Sequence, residues 1–327
     1  MAPSADLPQY GDIVAAHKRI HRFVHRTPVL TSSTLNRIFG TSLYFKCENF
    51  QKVGAFKFRG ATNAILSLSR EDAAKGVGTH SSGNHAAALA LAARMQGVQA
   101  RIVMPHSAPE IKKTAVEGYG GIITWCEPTL ESRETTMAEV VERTGVTYVP
   151  SYDHFNIICG QGTAAKELIE ETGELDMVLG PVGGGGLISG TALSTKGMLP
   201  NARVVAVEPA GADDAYRSFT SGEFVPSINP QTMADGLLTS LGKLTFRIIM
   251  DQVDEIITVS EEAIVSAMKM IWERMKIVVE PSGAVPFAAL VERKIDVAGK
   301  RVGLILSGGN VDLARLPFSR FSPSGSR

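Results

Sequence analysis

Cysteine is scarce in this chain of 327 residues. Three, Cys47, Cys126 and Cys159, are too few and too scattered for a disulfide framework or a zinc cluster. Cys47 and Cys126 each close an apolar run and are expected near strand ends, as small apolar residues. A reducing compartment follows, and a cytoplasmic location is the expectation. Net charge is also missing: 33 basic side chains balance 33 acidic ones, so no field of one sign exists to draw nucleic acid or an acidic membrane surface. No stretch reaches the ~18 consecutive apolar residues of a membrane span. The start, MAPSADLPQYGDIVAAHKRIHRF, lacks the basic-then-apolar order of a secretory signal, and the spacing of Ile13, Ala16, Ile20 and Val24 predicts an amphipathic helix instead.

Two phosphate-loop signatures are absent as well. GGGGLISG has no lysine followed by serine or threonine, and no GxGxxG with a later acidic residue follows the first strand. Nucleoside triphosphate loops and dinucleotide folds are therefore poor fits.

What is present is an alternation of strands and helices. LYFKCEN (43–49), VGTH (77–80), ARIVMP (100–105), GIITWCE (121–127), VTYVP (146–150), LDMVLGPV (175–182), ARVVAVEP (202–209) and RVGLILSGG (301–309) read as strands. Helices are predicted over 55–68, 84–97, 109–118, 131–145, 160–173, 187–197, 261–277 and 282–293. Such alternation means an α/β fold of mostly parallel sheets covered by helices, in a chain long enough for two lobes. The tail FSRFSPSGSR reads as disordered. The charge run KELIEE (166–171) and the pair Lys112 and Lys113 read as solvated faces. Met270, Trp272 and Met275 read as core or subunit interface.

Three times a strand is followed by glycine or serine at its carboxyl end: HSSGN (80–84), GGGG (183–186) and SGGN (307–310). Ligands of open α/β sheets sit beyond those ends. GPVGGGGLISGTA (180–192) is the strongest local signal, because four consecutive glycines are entropically costly. They supply a loop of unobstructed N–H groups at a helix start, suited to a phosphate ester, although a tight structural turn is the alternative. A small phosphate-bearing cofactor in turn gives a meaning to Lys57, which stands between Phe56 and Phe58 in GAFKFRGATNA. If the cofactor is pyridoxal 5′-phosphate, an amine is needed to hold its aldehyde, and Lys57 is the candidate.

GAFKFRGA, THSSGNHAAAL, GQGT, PVGGGGLISG, EPAGADDAYRS, ERMKIVVEPSGA and LSGGNVDL occur in this order over almost the whole chain. Together they resemble the serine racemase and threonine/3-hydroxyaspartate dehydratase branch of the fold-type II pyridoxal-phosphate enzymes. The resemblance implies two open, twisted, mostly parallel sheets flanked by helices, with 1–75 and 153–327 as a large cofactor-binding domain and 76–152 as a small mobile one. It makes Lys57 the Schiff-base lysine and Phe56 the aromatic residue beside the ring. Asn84 then corresponds to the residue on the phenolic oxygen, Gly183, Gly184, Gly185 and Gly186 to the phosphate cup, and Ser307 to the serine facing the pyridine nitrogen. Asp312 reads as a cap or turn residue.

Ser82 corresponds to the acid/base on the face opposite the lysine, with helix capping as the alternative for Ser81 and Ser82. N–H groups of Ser81, Ser82, Asn84 and His85 are expected to take the substrate carboxylate. Arg133, in CEPTLESRE, is a further expected substrate contact, its alternative an arginine paired with Glu131 or Glu134. His154, in PSYDHFN, resembles the YDH of hydroxyaspartate dehydratases and is either a reader of a second carboxylate or a hinge residue. Glu208, the carbonyl of Ala212 and Asp214 match the divalent-cation site of serine racemases, and an oxygen shell suits magnesium, calcium or manganese.

The implied activity is loss of the β-hydroxyl from serine, threonine or 3-hydroxyaspartate to give a 2-oxo acid and ammonia, with D/L-serine interconversion as a second outcome. A dedicated 3-hydroxyaspartate dehydratase, a β-replacement enzyme of the cysteine synthase type, and a non-catalytic amino-acid sensor are the alternatives. The family implies a homodimer. Some members bind ATP as an effector between subunits, and no motif here decides that.

Overall fold

The structure is a computed structural model and describes residues 7–319. The first part of the chain supplies α1 (Tyr10–Ile20), β1 (Val29–Leu30), α2 (Ser33–Phe39), β2 (Ser42–Cys47), α3 (Lys57–Leu66) and α4 (Arg70–Lys75). The middle supplies β3 (Val77–His80), α5 (Asn84–Met95), β4 (Ala100–Pro105), α6 (Glu110–Gly118), β5 (Gly121–Cys126), α7 (Leu130–Thr144) and β6 (Thr147–Tyr148). Then come α8 (Phe155–Thr172), β7 (Met177–Pro181), α9 (Gly186–Met198), β8 (Arg203–Pro209), α10 (Asp214–Ser221), α11 (Lys243–Gln252), β9 (Glu255–Val259), α12 (Glu261–Met275), α13 (Pro281–Val291) and β10 (Arg301–Leu306).

These form two sheets. The larger has six strands in the order β1-β2-β10-β7-β8-β9, parallel except where β1 meets β2. The smaller has four parallel strands in the order β5-β4-β3-β6. This is the α/β arrangement of two mostly parallel sheets that the resemblance implies. The apolar runs MVLGP and VGLIL are the centre of the large sheet, where both faces are covered, so β7 is buried at every position.

Local chemistry ends the helices as the residues dictate. Thr129 caps α7 by accepting from the Ser132 N–H, and Gly145 stops it at φ 69°. Ser260 caps α12 through the Ala263 N–H, and Glu280 precedes Pro281, the first residue of α13. Asp312 caps the short turn after β10 through the Ala314 N–H. Glycine brings α3 onto α8: a Cβ at Gly160 would lie 2.6 Å from Gly60 Cα, so only glycine admits this approach. That contact fixes where Lys57, the first residue of α3, can stand.

Some expectations fail. The strand read over 146–150 is reduced to Thr147–Tyr148. Helix α11 and strand β9 were not anticipated: KLTFRIIMDQ carries a mixed pattern, and EIITV is short and has no turn signal before it. KELIEE is not a solvated face. Glu167 is buried, and its carboxylate takes Lys46 Nζ at 2.8 Å and Arg59 Nη2 at 2.7 Å, while Arg59 Nε binds Glu48 at 2.7 Å. Tertiary packing turned one side of the run inward, where only opposite charges could be buried with it. Cys47 and Cys126 do close β2 and β5, and all three cysteines are buried and free. Trp272, Met270 and Met275 pack partly buried against the main core. The tail from Arg320 lies outside the described residues.

Candidate active site

The ends of β3, β7 and β10 converge on the start of α3. The turn before α3 is stitched to the SGG turn after β10: Phe56 N–H donates to the Ser307 carbonyl at 3.0 Å, and Gly309 N–H to Gly54 at 2.9 Å. Two motifs some 250 residues apart in the chain are thus one surface. Lys57 Nζ lies 2.8 Å from the Ser151 carbonyl and 5.1 Å from the Phe56 ring centroid. Burial lowers its pKa to about 8, with Glu280 pulling the other way.

The tetraglycine turn follows β7. Gly185, at φ 87°, caps α9, and Gly183, Gly184 and Gly186 press against their neighbours. A Cβ at Gly183 would lie 2.8 Å from Leu237 Cα, one at Gly185 2.8 Å from Thr245 Cβ, and one at Gly184 would run into the Tyr152 ring. These positions admit only glycine because the protein packs closely against them, and a turn free of side chains at a helix N-terminus is a cradle whose N–H groups are fit for a phosphate.

The HSSGN turn joins β3 to α5. Gly83, not a serine, caps α5, and the only cap-like contact is Ser81 Oγ accepting from Gly83 N–H at 3.3 Å. Asn84 opens α5 with its amide nitrogen 3.0 and 3.2 Å from the two Glu280 oxygens. His85 is buried with Nε2 3.1 Å from the Val149 carbonyl, and burial, then Lys57, takes its pKa down to about 3. Its ring is therefore neutral and turned away to the backbone, leaving its N–H as the group that can meet an anion. Ser307 is buried at the end of β10.

Two further predicted residues keep unpartnered nitrogens. Arg133, on α7, forms no ion pair with Glu131 or Glu134, and its Nε is buried without a partner. It stands close enough to His80 to help burial lower that ring's pKa. His154 caps α8 by position, and its Nδ1 is likewise buried and unbonded.

Glu208, near the end of β8, and Asp214, the first residue of α10, are close enough for the Asp214 charge to act on Glu208. Glu208 accepts from the N–H groups of Ala215 at 3.0 Å and Tyr216 at 2.9 Å, so it caps α10, yet burial pushes it up to about 9. Asp214 is buried, raised by burial to about 6, and no hydrogen bond of normal geometry closes off its oxygens. Ala212 lies between them in the connecting turn. Among the described residues no three acidic, histidine or cysteine side chains gather around one point. A cation there would need backbone carbonyls and water beside the two carboxylates.

Residues 20–308 match the family model described as pyridoxal-phosphate dependent enzyme. The chain belongs to that family. Pyridoxal phosphate is its cofactor, and the glycine cradle, the buried amine of Lys57 and Ser307 fit it. The chain is 52% identical over 313 residues to a β-hydroxyaspartate dehydratase of Paracoccus denitrificans, covering 96% of this chain and 99% of the relative. It is 50% identical to a serine racemase of Dictyostelium discoideum, covering 93% and 95%. The solved maize serine racemase superposes with a TM-score of 0.93 at 46% identity, covering 97% of this chain and 98% of that one. No described helix is long and apolar enough to cross a membrane.

Sequence reading missed two participants. Glu280, within the EPSGA motif, has no neighbour in the chain that marks it as a partner of Asn84. Tyr152 carries no glycine or charge signal, and only folding lays its ring on Gly184.

Proposed function

We propose that the protein is a pyridoxal-phosphate-dependent ammonia-lyase of small β-hydroxy amino acids, drawn from serine, threonine and 3-hydroxyaspartate, with inversion at the α-carbon as a second outcome. The observation that carries this reading is the joining of the Lys57 turn to the Ser307 turn, with Phe56 packed against the apolar cluster of Leu187, the residue that follows the tetraglycine turn. When bound, the cofactor supplies an aldehyde for an amine and a ring that takes up the electron pair left when the α-proton departs.

In this reading Lys57 is the amine and the proton acceptor on one side. With a pKa of about 8, roughly a tenth of it is neutral at pH 7, against well under a thousandth for an exposed lysine. Phe56 packs beside the ring, Asn84 serves the phenolic oxygen and Gly183 to Gly186 hold the phosphate. Ser307 faces the ring nitrogen, and a neutral hydroxyl cannot keep a proton there as a carboxylate would, which favours elimination and racemisation.

The N–H groups of Ser81, Ser82, Asn84 and His85, at the start of α5, take the substrate carboxylate. The unbonded nitrogens of Arg133 and His154 support their role toward a second carboxylate, as 3-hydroxyaspartate would bring. Ser82 holds or returns the proton on the other side. The bonds of Asn84 to Glu280 and of Lys112 to Asp235, at 2.8 Å, tie the four-stranded part to the rest, as closure of a mobile 76–152 domain would.

The uncapped Asp214 oxygens and the raised Glu208 support a divalent cation held by Glu208, Asp214 and the Ala212 carbonyl, magnesium, calcium or manganese by ligand chemistry. The likeness to serine racemases supports a homodimer.

The test is a panel of L-serine, D-serine, L-threonine and the 3-hydroxyaspartate stereoisomers, with 2-oxo acid and enantiomer both measured, beside borohydride reduction and peptide mapping. The expected adduct is on Lys57. An adduct on Lys46 or Lys52 overturns the assignment, and sulfide exchange into O-acetylserine without 2-oxo acid makes the protein a β-replacement enzyme.

A further inference from the structure

Three consecutive residues between β6 and α8 touch three different parts of the candidate site. The Ser151 carbonyl accepts from Lys57 Nζ at 2.8 Å. Tyr152 lies on the tetraglycine turn, its ring against Gly184 and its Cα 3.1 Å from where a Gly186 Cβ would stand. Asp153 accepts from the N–H groups of Lys243 at 2.9 Å, Leu244 at 2.8 Å and Thr245 at 3.1 Å, the first residues of α11. Gly242, which precedes them, has no side chain to do this.

Thr245 closes the circuit. Its hydroxyl donates to the Gly184 carbonyl at 2.9 Å and accepts from Gly242 N–H at 2.8 Å. The chain therefore runs from the lysine amine, through Ser151, Tyr152 and Asp153, to α11, and back through Thr245 to the glycine turn.

A four-glycine turn has no stiffness of its own. Its N–H groups bind an anion well only if they are already aimed, and the ordering entropy otherwise comes out of the affinity. Here the aim is imposed from outside, by the Tyr152 ring on one side and the Thr245 hydroxyl on the other. The Asp153 carboxylate is turned to α11, where three N–H donors and the positive end of the helix offset part of its charge.

We infer that Ser151–Tyr152–Asp153 is a positioning strap, fixing the tetraglycine turn relative to Lys57 and so setting the affinity for the phosphate end of the cofactor. The inference rests on the proposal that this turn holds the phosphate. Tyr152 and Asp153 act through the turn and through α11, and neither takes part in bond making.

The measurement is cofactor affinity of resolved protein, by absorbance titration with pyridoxal 5′-phosphate and, separately, with pyridoxal. The ratio of the two affinities reports the phosphate end alone, so a general loss of folding cancels out. Tyr152→Ala and Asp153→Ala are each expected to lower that ratio by about tenfold or more, Asp153→Asn by less, while Tyr152→Phe and Thr245→Ser keep it. Equal weakening toward both ligands, or no weakening, overturns the strap; should the alanine variants not fold, the Asp153→Asn and Thr245→Val ratios decide in the same way. Gly184→Ala separates the two layers: a ratio unchanged in that variant sinks the phosphate reading itself, whereas a fall there beside unchanged strap variants sinks only the strap.

Discussion

The amide nitrogen of Asn84 lies 3.0 and 3.2 Å from the two carboxylate oxygens of Glu280. Glu280 also accepts from the Asn310 N–H at 3.0 Å, and the Asn310 amide returns to Asn84 Oδ1 at 2.9 Å. The three side chains come from α5, the start of α13 and the turn after β10. A buried carboxylate thereby links a helix of the small-sheet part to the large-sheet part at the candidate active site.

Glu280 gives the protein a pH dependence of definite sign. Burial, aided by Asp235, raises its pKa to about 7, although Asn84 and Asn310 partly offset this. The unfolded chain loses that proton near the ordinary glutamate value of 4.5. Between these values the folded state holds more protons, so this contribution to stability is complete below the lower value and is lost as pH rises through the upper one. His85 acts oppositely between about 3 and 6.5, where the unfolded chain binds the extra proton. Urea midpoints across pH 4 to about 8 for wild type and Glu280→Gln isolate the first slope. The variant is expected to lack it, and parallel curves refute the assignment.

Ser82→Ala is expected to suppress D/L interconversion of serine at least about tenfold more than elimination from an L-substrate, since only inversion needs proton traffic on both sides of the α-carbon. Equal losses in the two assays refute the two-sided scheme.

Arg59 is the centre of a buried ion cluster, with both Glu48 and Glu167 on its guanidinium and Lys46 on Glu167. Arg59→Ala leaves two carboxylates buried against one lysine and is expected to destabilise the fold by about 3–5 kcal/mol. Lys75→Ala, which breaks an exposed pair with Glu71 at 2.8 Å, should change the denaturation midpoint hardly at all. Arg59 lies two residues after Lys57, so Arg59→Ala should also shift the absorbance of the bound cofactor.

A chelator should lower the melting temperature and the activity of the native protein together and leave Asp214→Ala unchanged, if Glu208 and Asp214 hold a cation. An unchanged native melting curve after exhaustive chelation removes the site.

Legibility followed the range of the forces involved. The β3–α5 and β7–α9 units and the three turns rich in glycine or serine were readable because each depends on residues within a few positions of one another. The side chain of Glu167 was misread because its partners, Lys46 and Arg59, are 121 and 108 positions away. Helix α11 was overlooked because its capping carboxylate, Asp153, is supplied by another part of the chain, 90 positions before Lys243.

The order of motifs along the chain determined the fold class and the family, since backbone preference and glycine placement are written locally. Tertiary structure alone decided that Glu280 closes on Asn84, that the His85 ring is buried against the Val149 carbonyl, and that Tyr152 lies on the glycine turn. Those outcomes depend on burial and on partners brought together by the packing of two sheets, and a buried charge or ring takes its properties from such neighbours rather than from its place in the chain.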